Sequence, residues 1–251
     1  MIPVSVVIVT KDEETNIEDA LRSAAGAQEI VVVDSFSSDS TVGICRRYTD
    51  KVFQHTWTGY ARQKQMAVDH AQGPWVLILD ADERITPELR DEMARALQNT
   101  DYEGFSMPRR NYFLGRWIRH SGWWPDRTLR LFKKDRGGLE DREVHEKVLV
   151  NGRVGQLNAP LEHYSYRNIS DYIRKMEVYS TLAAQEIRKK GRPGIFSLLL
   201  RPFFTFFKMY VLRLGFLDGV HGLVLAVLYG YYTFLKYAKA WEQHENTGNQ
   251  V

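Results

Sequence analysis

The 251-residue sequence predicts an α/β fold, an open sheet with right-handed crossover connections. Three observations carry that expectation. Val4–Val9 is a continuous β-branched apolar run, too short to span a bilayer and suited to a strand buried on both faces. Two more apolar runs, Ile30–Val33 and Trp75–Leu79, alternate with segments of helical periodicity. Both of these end in an acid, Asp34 and Asp80.

The elements follow in order. Ile17, Ala20, Leu21 and Ala24 recur at helical spacing after the first strand. The turn-rich Ser35–Ser40 follows the second, then a short helix over Thr41–Tyr48 and a third strand at Val52–His55. A helix near Tyr60–Ala71 leads through Gly73-Pro74 into Trp75–Leu79. Thr86-Pro87 opens another helix, with Thr as N-cap and Pro in the first turn, and Leu89, Met93, Ala96 and Leu97 mark its buried face. Residues 104–165 mix short strand-like pieces with Arg, Trp, Gly and His, and are expected as loops packed over the sheet. Asn168–Arg188 returns to helical periodicity.

Composition narrows the class. A content of 44% hydrophobic and 26% charged residues excludes a wholly disordered chain. The lone Cys45 rules out an internal disulfide and any C-x-x-C site. Met1–Val9 enters a strand-like run without a basic leader, so no secretory signal is expected. The net charge of +3 is a cancellation: residues 1–100 carry −6 and residues 101–251 carry +9. Between Ile187 and Leu217 stand seven basic residues and no acid, beside Phe196, Phe203, Phe204, Phe206 and Phe207. Basic residues next to aromatics suit a helix lying in an anionic membrane interface. Packing onto the domain or a homodimer face is the alternative. Gly219–Leu235, uncharged over 17 residues, is at the lower limit for a membrane span.

In open α/β sheets ligands gather at the carboxyl ends of the strands. Asp34 falls there, as does Asp80-Ala81-Asp82. Two carboxylates one residue apart can face a hard cation such as Mg²⁺ or Mn²⁺, which also takes substrate phosphates. Glu83 reads as a turn acid stabilised by the helix start behind it. No G-x-G-x-x-G and no G-x-x-x-x-G-K-[ST] occurs, which argues against dinucleotide redox and P-loop chemistry. The absent Gly-rich phosphate loop also argues against a nucleotidyltransferase.

Val6-Val7-Ile8-Val9-Thr10-Lys11-Asp12-Glu13, Ile30-Val31-Val32-Val33-Asp34-Ser35 and Leu79-Asp80-Ala81-Asp82-Glu83 resemble glycosyltransferase family 2. Arg109–Gly115, His120–Arg127, Val144-His145-Glu146 and Gly215–Gly219 narrow the resemblance to bacterial lipopolysaccharide-core heptose β-glucosyltransferases. The resemblance implies a GT-A, Rossmann-like mixed sheet with helices on both faces and an amphipathic C-terminal helical extension. It also implies a catalytic domain over residues 1–165 and a membrane-interfacial extension over 166–251. Thr10, Glu13, Asp34 and Ser37 would line the nucleotide pocket, and Arg62, Lys64 and Gln65 would approach the diphosphate. Asp80 would face ribose and metal, and Asp82 would bind the divalent cation. Apart from the resemblance, His163 or His145 suits completing the metal shell or touching phosphate, with a structural hydrogen-bonding role as the alternative for each. The implied reaction is an inverting transfer of a hexose, glucose foremost, from a UDP-sugar to a lipid-linked lipopolysaccharide-core acceptor. It would take place peripherally, at the cytoplasmic face of the bacterial inner membrane, without nucleic acid.

Inversion by single displacement requires a carboxylate to take the acceptor proton. Asp126, Asp141, Glu143 and Glu146 are the candidates; the family-like Val144-His145-Glu146 favours Glu146, with Asp126 next. Arg109, Arg110, Arg127 and Arg130 suit phosphates on an acidic acceptor, and Trp123 and Trp124 suit a sugar ring. Two alternatives stand beside this reading: a family 2 enzyme acting on polyprenyl-phosphate or capsule intermediates, and a non-catalytic membrane-binding module.

Overall fold

The computed structural model describes residues 1–98, 100–140, 147–189 and 191–248. Two compact units divide the chain: residues 1–110 with 126–163, and residues 111–125 with 164–251. Residues 111–125, expected with the first unit, group with the second.

The first unit is built on strands β1 (Ile2–Thr10), β2 (Ala27–Asp34), β3 (Val52–Gln54) and β4 (Trp75–Asp80), with helices α1 (Ile17–Ala24), α2 (Thr41–Cys45) and α3 (Tyr60–His70) between them. β5 (Glu83–Ile85) and α4 (Pro87–Ala96) follow, then β6 (Gly104–Phe113), β7 (Arg116–Trp117), β8 (Asp126–Lys133), β9 (Gly137–Leu139), β10 (Val148–Val150), β11 (Val154–Gln156) and β12 (Leu161–Tyr166), of which β7 and the last residues of β6 and β12 fall in the second unit. The main sheet runs β3-β2-β1-β4-β8-β6-β12-β5, with β7 and β11 attached to β6. β9 and β10 form a separate pair.

The parallel half obeys the apolar runs. β1 lies between β2 and β4, parallel to both, with Val6 opposite Ile30 on one side and Leu77 on the other. Alternate side chains serve opposite faces. Val4, Val6 and Ile8 pack with Ile17, Leu21, Leu89 and Met93 of α1 and α4, whereas Val7, Val31 and Ile78 pack with Ala67 and Val68 of α3. Each such fully buried side chain contributes about 1.5–3 kcal/mol. Helices on both faces are therefore a requirement of the sequence: a strand with no polar face must be covered twice. α4 starts as expected, with the Thr86 hydroxyl accepting from Leu89 N at 3.1 Å and Pro87 in the first turn. Cys45 is buried under this layer, and burial, with Asp34 nearby, pushes its thiol up to about 12. At that value it is no nucleophile near neutral pH.

Residues 104–165 differ from the expected loops. β8 pairs antiparallel with β4, and β6 with β8, so this segment widens the sheet. Its strands alternate arginines with Phe105, Met107, Leu129 and Leu131, and Pro108 interrupts β6, so no continuous apolar run announces them.

The second unit contains α5 (Ile169–Arg188), α6 (Ile195–Phe207) and α7 (Gly219–Gly248). A π-helical turn at Lys208–Leu212 prolongs α6, and a short 3₁₀ turn at Gly215–Asp218 precedes α7. Phe113, Trp123, Tyr172, Met176, Met209, Leu225 and Ala226 form the core. α6 and α7 run antiparallel: Arg201 donates to Tyr237 Oη at 2.8 Å, and Thr233 Oγ1 to Thr205 Oγ1 at 3.2 Å. Among the described residues, the segment long and apolar enough to cross a membrane is Ile195–Leu212, of which Met209 alone is buried and the rest is exposed or half-buried. The uncharged Gly219–Leu235 instead lies in α7, where Leu225 and Ala226 are fully buried.

One polar knot ties the parallel strands at their amino ends. Glu29 accepts from Ser5 Oγ, from Lys51 Nζ and from Gln72 N (2.8 Å), while Ser5 Oγ also accepts from Gly73 N at 3.0 Å. Burial opposes the charged form, but these donors outweigh it and hold the carboxyl below its ordinary 4.5. A lowered folded pKa gives stability that is complete above the unfolded value and lost as pH falls through the folded one. Glu29→Gln should therefore cost roughly 2 kcal/mol at neutral pH. In urea titrations the gap to wild type should shrink below about pH 4.5; a gap independent of pH would refute the assignment.

Candidate active site

The carboxyl ends of β1, β2 and β4 place the candidate residues of the first unit. Thr10 closes β1 in register with Asp34, which closes β2. Asp34 is fully buried and accepts from Ser37 N (2.9 Å), Ser37 Oγ and Gln54 Nε2 (3.1 Å). Gln63 of α3, also fully buried, donates to Ser35 Oγ at 2.7 Å. Among the described residues, Thr10 Oγ1 and Gln63 Oε1 are buried with no hydrogen-bond partner. Thr10 beside Asp34 and Gln63 beside Ser35 therefore keep hydrogen-bonding capacity to spare, which native proteins rarely do at buried groups.

The loops after β1 and β2 are stitched together. Asp12 N donates to Ser37 Oγ at 2.8 Å, and Ser38 N to Asp12 Oδ1 at 2.7 Å. Glu13 N donates to Thr41 Oγ1, and Ser40 N to Glu14 Oε2. Asp12 and Phe36 both take positive φ, 52° and 56°, and Phe36 stands 58% exposed. An exposed aromatic residue in the left-handed region is uncommon and is the kind of strain that functional loops retain. The Glu13 carboxylate accepts from Asn16 Nδ2 at 2.6 Å.

Beyond them runs a ladder of alternating charge. Lys64 Nζ lies 2.8 Å from Asp80 Oδ1, and Arg130 bonds the other Asp80 oxygen at 2.5 Å. Arg130 also reaches Glu83 at 3.1 Å, Arg109 approaches Glu83 at 3.5 Å, and Arg109 holds Asp126 at 2.7 Å. Burial pushes the Asp80 carboxyl up, but Arg130 and Lys64 outweigh it and, with His163, hold it well below the usual carboxylate range. Glu83 is wholly buried in β5 and accepts from Asp80 N at 3.0 Å, so it is no solvated turn acid. Its carboxylate completes the ladder instead of answering a helix dipole.

The structure brings some expected residues together and gives others different work. Asp82 and His163 approach to 3.5 Å, because β5 and β12 pair with His163 opposite Glu83. Arg62 is on the exposed side of α3. Gln65 is occupied by the β9 backbone, accepting from Leu139 N at 2.9 Å and donating to Asp69. The expected acceptor arginines are engaged within their unit: Arg109 as above, Arg110 on Glu162 at 3.4 Å, and Arg127 on the Leu157 carbonyl at 2.9 Å. In the second unit Trp123 belongs to the aromatic core, edge-on to Phe113, and Trp124 meets Trp117 edge-on. Glu146, with Asp141, Glu143 and His145, lies outside the described residues. Gln54, Gln63 and Phe36 escaped sequence reasoning. A glutamine and a lysine on the buried stripe of α3, at Gln63 and Lys64 beside Ala67 and Val68, were the available signal.

A strand-end pocket on a mixed sheet with helices on both faces is the architecture of a GT-A glycosyltransferase. The sequence model of glycosyl transferase family 2 matches residues 5–151, and the chain belongs to that family. Over almost its whole length it is similar to the lipopolysaccharide core biosynthesis glycosyltransferase LpsC of Rhizobium meliloti, at 31% identity over 97% of this chain and 93% of the relative. An uncharacterized glycosyltransferase of Rickettsia conorii is 29% identical over 99% of this chain and 93% of its own. Among solved structures, Staphylococcus aureus TarS 1–349 in complex with UDP shares the fold, with a TM-score of 0.51 at 16% identity over 98% of this chain and 92% of that one.

The ladder makes a stability prediction. Asp80→Asn removes a counter-charge shared by the buried Lys64 and Arg130 and should cost about 3 kcal/mol in urea denaturation. Lys64→Met should cost less in the Asp80→Asn background than in wild type, because the pair is already broken there; equal costs in the two backgrounds would refute the pairing.

Proposed function

We propose that this enzyme transfers a hexose, glucose foremost, from a UDP-sugar to a lipid-linked lipopolysaccharide-core acceptor, inverting the anomeric carbon. The observation that carries the donor half is the pair of unpartnered buried oxygens, Thr10 Oγ1 and Gln63 Oε1, beside Asp34. Thr10 and Gln63 offer acceptors, Asp34 a carboxylate and Ser37 a hydroxyl, a set that suits the ring N–H of a uracil and the hydroxyls of its ribose. Phe36 stands at the rim as a stacking surface, and Glu13 borders the same loops. TarS, of like fold, holds UDP in its crystal structure. The acceptor class rests on the full-length similarity to LpsC.

The donor set at Asp82 and His163 fits a divalent cation, Mg²⁺ or Mn²⁺: one hard oxygen ligand and one imidazole side by side, both partly exposed. Among the described residues no group of three or more such ligands stands together, so the diphosphate oxygens would complete the shell. When bound, the cation neutralises charge on the departing diphosphate. Asp80 stays with Lys64 and Arg130, whose positive charges face the same strand end, and Arg62 reaches the diphosphate from the exposed side of α3. Asp80 thereby fixes Lys64 close to the leaving group.

The reaction is a single displacement. The acceptor oxygen forms a bond to the anomeric carbon as the bond from that carbon to UDP breaks, and the acceptor proton passes to a carboxylate. Glu146 is that base. Asp126 is the second candidate, but Arg109 already engages its carboxylate, with contacts of 2.9 and 2.7 Å to Oδ2. The basic, exposed α6 segment, with Arg188, Lys189 and Arg192 before it, suits peripheral contact with the cytoplasmic face of an anionic inner membrane. Arg110, Arg127 and Trp124 remain candidates for the acceptor's phosphates and sugars.

Three measurements test this reading. Asp34→Ala should weaken UDP binding by calorimetry roughly tenfold, the worth of one charge-assisted hydrogen bond; unchanged affinity would remove the donor pocket. Glu146→Gln should lower kcat on the order of a hundredfold or more with UDP affinity retained, and Asp82→Ala should abolish stimulation by Mn²⁺. Activity surviving Glu146→Gln but lost in Asp126→Asn would transfer the base to Asp126.

A further inference from the structure

The second unit carries a cationic cavity that the donor chemistry does not use. It has a volume of about 400 Å³ and is lined by Arg119, His120, Gly122, Trp124, Arg213 and the pair Leu212 and Leu214. We propose that this cavity binds the phosphate of an anionic membrane lipid, so that the protein grips a headgroup at a built site as well as resting on the surface by diffuse charge.

The cations are held in place. The carboxylate of Asp218, only 3% exposed, accepts from the backbone N–H of Arg119 (3.3 Å) and of His120 (2.9 Å) and lies 3.2 Å from His120 Nδ1. One buried acid thus fixes the whole turn that presents the two side chains. Arg213 is seated by Gly122, whose φ is +81°; a Cβ there would lie 2.1 Å from the Arg213 guanidinium. Ser121 N donates to the Arg213 carbonyl at 2.9 Å, which joins the two loops. The Arg119 guanidinium lies 4.4 Å over the Trp117 ring. Among the described residues neither Arg119 nor Arg213 forms an ion pair, so two guanidinium forks face the cavity with their charge unspent. Forks of this kind suit phosphate oxygens.

The surroundings select the source of that phosphate. Leu212, Leu214, Phe216 and Leu217, in the turn between α6 and α7, are 59, 46, 46 and 54% exposed. A free phosphate or a soluble sugar phosphate has no use for this apolar rim. A lipid does, because its headgroup and acyl chains present an anion and a hydrocarbon surface side by side. The proposal is independent of the donor pocket, which lies in the other unit.

Co-flotation of the full chain with vesicles tests it. Wild type should bind phosphatidylcholine vesicles containing phosphatidylglycerol and leave neutral phosphatidylcholine vesicles largely unbound. Arg119→Ala with Arg213→Ala should reduce binding roughly tenfold or more, while Arg174→Ala with Lys175→Ala, the same charge removed elsewhere in the unit, should reduce it far less. Arg119→Lys with Arg213→Lys keeps charge without forks and should fall between; it also keeps the test alive if the alanine pair does not fold. UDP affinity should be unchanged in all three. Equal losses in both alanine pairs would show diffuse attraction and overturn the site. Displacement by inorganic phosphate at constant ionic strength would assign the cavity to free phosphate and overturn the lipid. Loss of UDP binding in wild type would fail the donor reading and leave this one standing.

Discussion

The alternating ladder Lys64–Asp80–Arg130–Glu83–Arg109–Asp126 is the constraint on which the first unit depends. Its members come from α3, the ends of β4 and β5, and the two arginine-bearing strands β6 and β8. Each inner member has an opposite charge on both sides, and burial makes any gap expensive. The ladder therefore fixes α3 against the end of β4 and holds the antiparallel strands to the parallel ones. The positions of Lys64, Arg130 and Arg109 are thus set by the same bonds that close the sheet.

The parallel half of the fold was legible because its physics is local. A strand covered on both faces must be apolar throughout, so Val4–Val9, Ile30–Val33 and Trp75–Leu79 announce themselves, and the acids that end them mark the site. The antiparallel half was not legible. β6 and β8 carry two arginines each, with partners distant in sequence, such as Asp80 for Arg130 and Glu162 for Arg110. Spacing alone cannot distinguish an arginine that awaits a phosphate from one already neutralised by the protein. Glu83 failed for the same reason: its sequence context reads as a helix-start acid, while its burial is decided by β5 pairing with β12.

The second unit repeats the lesson with hydrophobic residues. Trp123 and Trp124 are adjacent in sequence and look equivalent, yet one fills the aromatic core and the other lines a cavity. In α7 the uncharged stretch looks like a span, but one face of it is consumed by packing against Tyr172 and Met176. Apolar surface is left over on α6 and the turn after it, where arginines interrupt the run, and on the outer face of α7 at Val220, Val227 and Phe234.

The hydrogen bonds between the loops after β1 and β2 have a thermodynamic consequence. Asp12, Glu13, Glu14, Ser37, Ser38, Ser40 and Thr41 already hold one another. Backbone freedom costs roughly 1–2 kcal/mol per residue to remove, and here folding has removed it before any ligand arrives. A molecule entering this pocket gives up its own motion and asks little ordering of its host, so rigidity rather than contact area sets how tightly a small ligand can be held.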